Sequence, residues 1–188
     1  LIALGFTMIY GVGRVLNLAH AGYVMVTAYI FYNAWQVMGL PIGLAMLIAI
    51  ASGAGLALAT YTGLVRRYLN NPTVVYVSTF ILALVMDYLI VLFFHTETIN
   101  VWPVVVGVTK VFGYSVSNNM ITSLIVSWAC IIGVLMFIRR THLGRAMRAL
   151  AMDRKGAIVS GVNPDTVNIM TWAISGALAG VAGIFFGS

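Results

Sequence analysis

Acidic residues are nearly absent: Asp87, Glu97, Asp153 and Asp165 are the only four in 188 positions, and charged side chains of either sign make up 7% of the chain. A soluble domain carries about 25% charged residues, so a water-facing surface could not be covered here. The single cysteine, Cys130, sits in an apolar run and has no second thiol with which to form an internal disulfide. Zinc and haem spacings are missing, as is a phosphate loop, and no nucleophile stands beside a base. Gly11-Val12-Gly13 lacks both the preceding strand and the remaining glycine of a dinucleotide fingerprint. These absences argue against an enzyme, and no cofactor is expected on this chain.

What the chain does have is apolar surface: 62% of its residues are hydrophobic and 19 are glycine. The surplus needs a non-aqueous solvent, which a bilayer supplies. Abundant small residues suit helices that approach closely in lipid. The net charge of +6 is not a nucleic-acid signature, because the cations sit in short clusters between apolar runs. The expected class is all-α, a polytopic membrane helix bundle forming one domain over residues 1–188, with the lipid bilayer as its solvent and no nucleic acid as partner. Because Leu1 already lies inside an apolar stretch, the sequence reads as a fragment that lacks part of a first span and later spans.

About six spans are expected. They are the end of a first helix from Leu1 to about Val12, then Ala21 to about Met38, Pro41 to Val65, Pro72 to Phe94, Asn119 to Ile138 and Pro164 to Gly187. Asn71-Pro72 and Asn163-Pro164 each set a capping side chain before a proline at the first helical position, where the missing N–H costs nothing. Gly39-Leu40-Pro41 marks a tight turn.

Charge asymmetry orients the bundle. Arg66 and Arg67 follow the third span, and the segment 139–165 holds Arg139, Arg140, Arg145, Arg148, Arg154 and Lys155 against Asp153 and Asp165, a net +4. The connection 95–118 carries only Glu97 and Lys110, which cancel. Positive loops face the cytoplasm, so Arg14, Arg66–Arg67 and 139–165 are expected inside, with Gly39–Pro41 and 95–118 outside. The outer segment reads as a short hairpin or a lid.

Four features are candidates for function. The stretch from Gly11 to Gly22 interrupts an apolar run with glycines, Arg14, Asn17 and His20. It is either a plain cytoplasmic turn or a broken helix lining a wet cavity, and spacing alone leaves both open. In the inner segment, Leu143, Met147 and Leu150 recur at helical spacing with Arg145 and Arg148 on other faces. That pattern suits one or two short amphipathic helices, resting on lipid head groups or docking a soluble partner. Gly176, Gly180, Gly183 and Gly187 fall on one face of the last span, a stripe that predicts a close helix crossing. Asp87 lies within the fourth span, where a carboxylate costs at least about 2.5 kcal/mol. It is expected to face the bundle interior, as a structural polar group or on a translocation path, with Arg14 as a partner only if the break penetrates deeply.

The stretch Val15-Leu16-Asn17-Leu18-Ala19-His20-Ala21-Gly22, following Gly5 to Gly11, resembles the early signature of branched-chain amino-acid ABC transporter permeases. Thr141 to Asp153 resembles that family's cytoplasmic loop, as do Gly161-Val162-Asn163 and the run Ser175 to Gly183. The resemblance implies the membrane subunit of a binding-protein-dependent importer in a prokaryotic cell membrane. Its partners would be a second permease, two cytoplasmic ATPases that hold the ATP, and an extracytoplasmic solute-binding protein. It makes Leu143, Gly144, Arg145, Met147, Arg148, Leu150 and Asp153 the ATPase-coupling residues. The break residues Asn17, His20 and Gly22, with Asp87 of the fourth span, are the candidates for the solute path. The solute would be a branched-chain or other hydrophobic amino acid. The alternative is a secondary transporter or channel for a small polar solute such as urea or a short amide, since broken helices suit that class too.

Overall fold

The computed structural model describes residues 1–69, 71–94, 102–111 and 114–186. Eight α-helices carry them: α1 (Ile2–Gly13), α2 (His20–Tyr32), α3 (Ile42–Gly63), α4 (Pro72–Phe94), α5 (Asn118–Arg140), α6 (His142–Met152), α7 (Arg154–Val159) and α8 (Pro164–Phe186). A π-helical turn, Asn33–Val37, continues α2, and a 3-10 turn, Val65–Tyr68, continues α3. Two short strands, β1 (Val108–Val111) and β2 (Tyr114–Ser117), pair antiparallel between α4 and α5, with Val108 opposite Ser117. The connection 95–118 thus contains a hairpin, and its residues 95–101, 112 and 113 lie outside the described ones.

Helices stand at each of the six positions expected for spans, but four are long and apolar enough to cross a membrane: Ile42–Tyr68, Pro72–Phe94, Asn118–Arg140 and Pro164–Phe186. The count of six is therefore not established. α1 has 12 residues, about 18 Å at 1.5 Å per residue, against a hydrocarbon thickness of about 30 Å. α2 has 13 before the π-turn changes its register.

The helix ends follow local chemistry. At α4 the amides of Val74 and Val75 both reach the Asn71 carbonyl. At α8 the Asn163 side chain accepts from the amides of Asp165 (3.0 Å) and Thr166 (3.4 Å), a full N-cap ahead of Pro164. Arg66 and Arg67 end α3, and Arg139 and Arg140 end α5, each pair where the helix dipole favours a cation.

α8 is the axis of the bundle, with α1, α2 and α3 packed around it; α4 leans on α2, and α5 rests on α6 and the edge of α8. The core between α1, α2, α3 and α8 is filled by Ile9, Tyr23, Tyr61 and Trp172, with the Tyr61 and Trp172 rings 5.6 Å apart. Glycine permits the closest approaches. A Cβ on Gly53 would overlap the Gly176 carbonyl, and one on Gly176 the Gly53 carbonyl; Gly180 lies on Ala49 and Ile50. Gly183 turns instead to α2, against Thr27 and Val24. Gly187 lies outside the described residues.

Candidate functional site

The arginine-bearing connections of the described chain gather at one end of this bundle. The break between α1 and α2, the turn from α3 to α4, the pair α6–α7 and the start of α8 meet there. Arg14 in the break donates to the Ala151 carbonyl of α6 at 3.3 Å. Arg66 pairs with Asp165 at 2.7 Å, and the same carboxylate accepts the Tyr61 hydroxyl at 2.8 Å. A cleft of about 210 Å³ opens between Arg14, Arg154, Leu69, Pro72 and Leu150. The β-hairpin joins the opposite ends of α4 and α5.

The break itself is ordered by side chains rather than by a helix. Asn17 is buried; its Oδ1 accepts the Ala19 amide at 3.1 Å, and its Nδ2 donates to the Tyr23 hydroxyl at 3.3 Å. Thr79 of α4 accepts the Leu18 amide at 3.3 Å and is 3.5 Å from the Leu16 carbonyl. His20 opens α2 and is buried on top of Gly5, its Nδ1 3.5 Å from the Ser175 hydroxyl, which donates to the Gly5 carbonyl at 2.8 Å. Among the described residues, two buried polar atoms here, His20 Nε2 and Asn168 Oδ1, find no well-formed hydrogen bond. Burial of such groups is unfavourable unless they are satisfied, and both atoms belong to the string of polar groups between α1, α2 and α8.

α6 and α7 form a hairpin of short helices under the bundle. Thr141 caps α6 by accepting the Gly144 amide at 2.9 Å, and Gly144 sits on the Ile138 backbone, where a side chain would not fit. Asp153 caps α7 through the Lys155 amide at 2.9 Å. Gly161 closes α7 in the left-handed region at φ 87°, with the Val162 amide returned to the Ala157 carbonyl. Met147 and Leu150 are buried in a cluster with Ala157 and Val167, and the half-buried Leu143 packs beside them. Arg145, Arg148, Arg154 and Lys155 of the hairpin are exposed, and so are its apolar Met152, Ile158 and Val159; the last is 89% exposed.

Residues 1–188, the whole chain, match the family described as branched-chain amino acid transport system / permease component. The chain belongs to that family. Among its relatives are the high-affinity branched-chain amino acid transport system permease protein LivH of Escherichia coli, 28% identical over all of this chain and 65% of that protein, and BraD of Pseudomonas aeruginosa, 27% identical over all of this chain and 66% of that protein. The probable branched-chain amino acid transport permease protein LivH of Methanocaldococcus jannaschii is 27% identical over 97% of this chain and 60% of its own length. The chain thus spans about 65% of the length of the first relatives it matches. No solved structure matches.

Within this permease fold the expected site residues separate into groups. Asn17 and His20 lie together in the buried break, while Gly22 faces Met86 of α4 and lets that helix come close. Asp87 does not join them. It is exposed on the outer side of α4, beside Tyr88 at 79% exposure, because α4 buries only the face bearing Val75, Thr79, Met86 and Ile90. Nor is Arg14 its partner, since that side chain turns to α6. Met147 and Leu150 pack against this chain's own bundle, while Met152, Ile158 and Val159 of the same hairpin are exposed. Among the expected coupling residues, Arg145 and Arg148 are exposed, Asp153 and Gly144 shape the hairpin, and Arg145 lies 2.7 Å from His142 Nδ1. Sequence reasoning passed over Thr79, Ser175, Tyr61 and Asp165. A hydroxyl in an apolar helix ordinarily bonds its own backbone, so nothing local marks Thr79 or Ser175 as reaching another helix.

Proposed function

We propose that the chain is the membrane-spanning part of a permease subunit in an ATP-driven importer of branched-chain or other hydrophobic amino acids. The observation that carries this reading is the match to the permease family along residues 1–188. The chain spans only part of its relatives' length, so solute, energy source and partners are all part of the proposal.

Supporting it, the basic connections gather at one end, which suits a cytoplasmic face. The chain would lie in the cell membrane with α6–α7 inside. There the hairpin offers exposed cations together with exposed apolar side chains, which suits a groove with an acidic rim on each of two ATPase partners. ATP would be bound by those partners. A second permease subunit would complete the pathway, and an extracytoplasmic binding protein would deliver solute at the end bearing the β-hairpin. Movement of α6–α7 would be passed to the bundle, and the buried polar break around Asn17 and His20 would line part of the route.

The experiment is uptake of radiolabelled leucine into proteoliposomes containing the complete permease with its ATPases and binding protein. Uptake is expected to require ATP and to survive collapse of the ion gradients. Uptake by the permease alone, driven by a proton or sodium gradient, would favour a secondary transporter instead.

A further inference from the structure

We infer that Arg14 is a positioning residue, a strut that ties the α6–α7 hairpin to the α1–α2 break so that the two move together; the inference rests on the reading of α6–α7 as the driven element. Arg14 ends α1 at φ 52°, ψ 28°, and among the described residues it is the one non-glycine with positive φ. That position after a helix is where glycine ordinarily sits, because a Cβ is disfavoured in the left-handed region. The backbone role of the residue, donation of its amide to the Tyr10 carbonyl at 2.9 Å, needs no side chain. A glycine would serve that end of α1 better, so the reason for arginine lies in its guanidinium.

The guanidinium reaches the Ala151 carbonyl in the last turn of α6 at 3.3 Å. Carbonyls there have no partner further along the helix and lie at the negative end of its dipole. The Lys155 amide, four residues on, is taken by Asp153 Oδ1 at 2.9 Å, so the helix does not claim Ala151 for itself. Among the described residues no carboxylate lines the cleft beside Arg14, and the other charge lining it is Arg154. Arg14 is therefore directed to a carbonyl rather than held by an ion pair. From Arg14 the chain runs at once into the segment clasped by Thr79 at Leu16 and Leu18, by Tyr23 at Asn17 and by Ser175 at His20. A displacement of α6 thereby has a direct route, through one side chain, into α4, α2 and α8.

The test uses the complete permease with its partners and compares wild type with Arg14→Gly and Arg14→Lys. Glycine relieves the left-handed backbone, so Arg14→Gly is expected to unfold at the same temperature as wild type or higher and to bind the ATPases normally. Its ATP hydrolysis is expected to persist while uptake falls about tenfold, the change one lost charge-assisted hydrogen bond makes to an equilibrium. A lysine keeps the charge but is one bond shorter than arginine, whose own contact is already 3.3 Å, so Arg14→Lys is expected to lose the bond and to fall in uptake with Arg14→Gly. Spin labels at Leu16→Cys and Met152→Cys, in a Cys130→Ser background, give the second readout: one narrow distance distribution while Arg14 is kept, a broad one once Arg14→Gly is added. Wild-type uptake by Arg14→Gly, or an unchanged distribution, would overturn the strut. Wild-type uptake by Arg14→Lys would also overturn it, since a positive charge without the reach would then suffice. If wild-type uptake itself proves independent of ATP, the functional reading fails, while the spin-label distances still decide whether Arg14 links the two elements.

Discussion

Gly53 and Gly176 meet backbone to backbone where α3 crosses α8, so close that a methyl group on either would enter the carbonyl of the other. Two helices that approach in this way replace the hydrophobic drive that lipid removes with packing of the main chain itself. The crossing locks α3 to the central helix and fixes the position of the break, because α8 also carries Ser175, the neighbour of His20.

Gly176→Val is therefore expected to lower stability by about 1–3 kcal/mol, the usual cost of overpacking. Gly55→Ala, on α3 like Gly53 but with open space around it, is expected to leave the melting temperature of the detergent-solubilised protein unchanged or slightly raised. Thermal unfolding of the two variants side by side checks the crossing.

The two faces of α6–α7 predict opposite phenotypes. Met147→Ala or Leu150→Ala removes buried methylenes and is expected to cost about 2–5 kcal/mol of stability. Val159→Ser, at an exposed site, is expected to change stability by less than about 0.5 kcal/mol while weakening copurification of the ATPases. Arg145→Glu with Arg148→Glu is expected to abolish that copurification. Full assembly and uptake by the double charge reversal would remove the docking surface from the account.

Asp165, at the head of α8, ties that helix to the end of α3 by accepting from Tyr61 and pairing with Arg66. Arg66 is 55% exposed and Asp165 33%, so water screens much of the attraction. A double-mutant cycle of Arg66→Gln and Asp165→Asn is expected to give a coupling below about 1 kcal/mol, and to lose most of it in high salt. Tyr61→Phe is expected to add a separate, salt-insensitive loss, because its hydroxyl bond is partly buried.

Gly5 forms the floor beneath His20. A Cβ there would stand 2.7 Å from His20 Nε2 and 3.0 Å from the Ser175 hydroxyl. Gly5→Ala is expected to push the imidazole aside and to reduce uptake with little change in ATPase binding. Ser175→Ala with Gly5 retained is expected to be milder, since it removes one hydroxyl and leaves the ring its space.

The helices were legible where physics acts locally. Asn71-Pro72 and Asn163-Pro164 mark starts that α4 and α8 obey to the residue, and the glycine spacing of α8 announced a narrow face. The π-turn after α2 was not legible, because an apolar run records solvent preference and not where the backbone register changes. Asp87 shows the same limit. Nearly every residue of α4 is apolar, so no period in its sequence tells which side leans on α2, and the carboxylate lies on the other side. For α6 the amphipathic stripe was readable but its partner was not, since an apolar face covers its own bundle as readily as another protein. The break's contacts to Thr79 and Ser175 join positions far apart in the chain, and no spacing rule reaches that distance.

The central claim is that the α6–α7 hairpin faces the cytosol, where a partner can hold it. Val159→Cys in a Cys130→Ser background, probed in intact cells and in inside-out vesicles with a membrane-impermeant maleimide, tests it most directly. The account predicts labelling only in the vesicles, and protection when the ATPases are bound. Labelling of intact cells would contradict it.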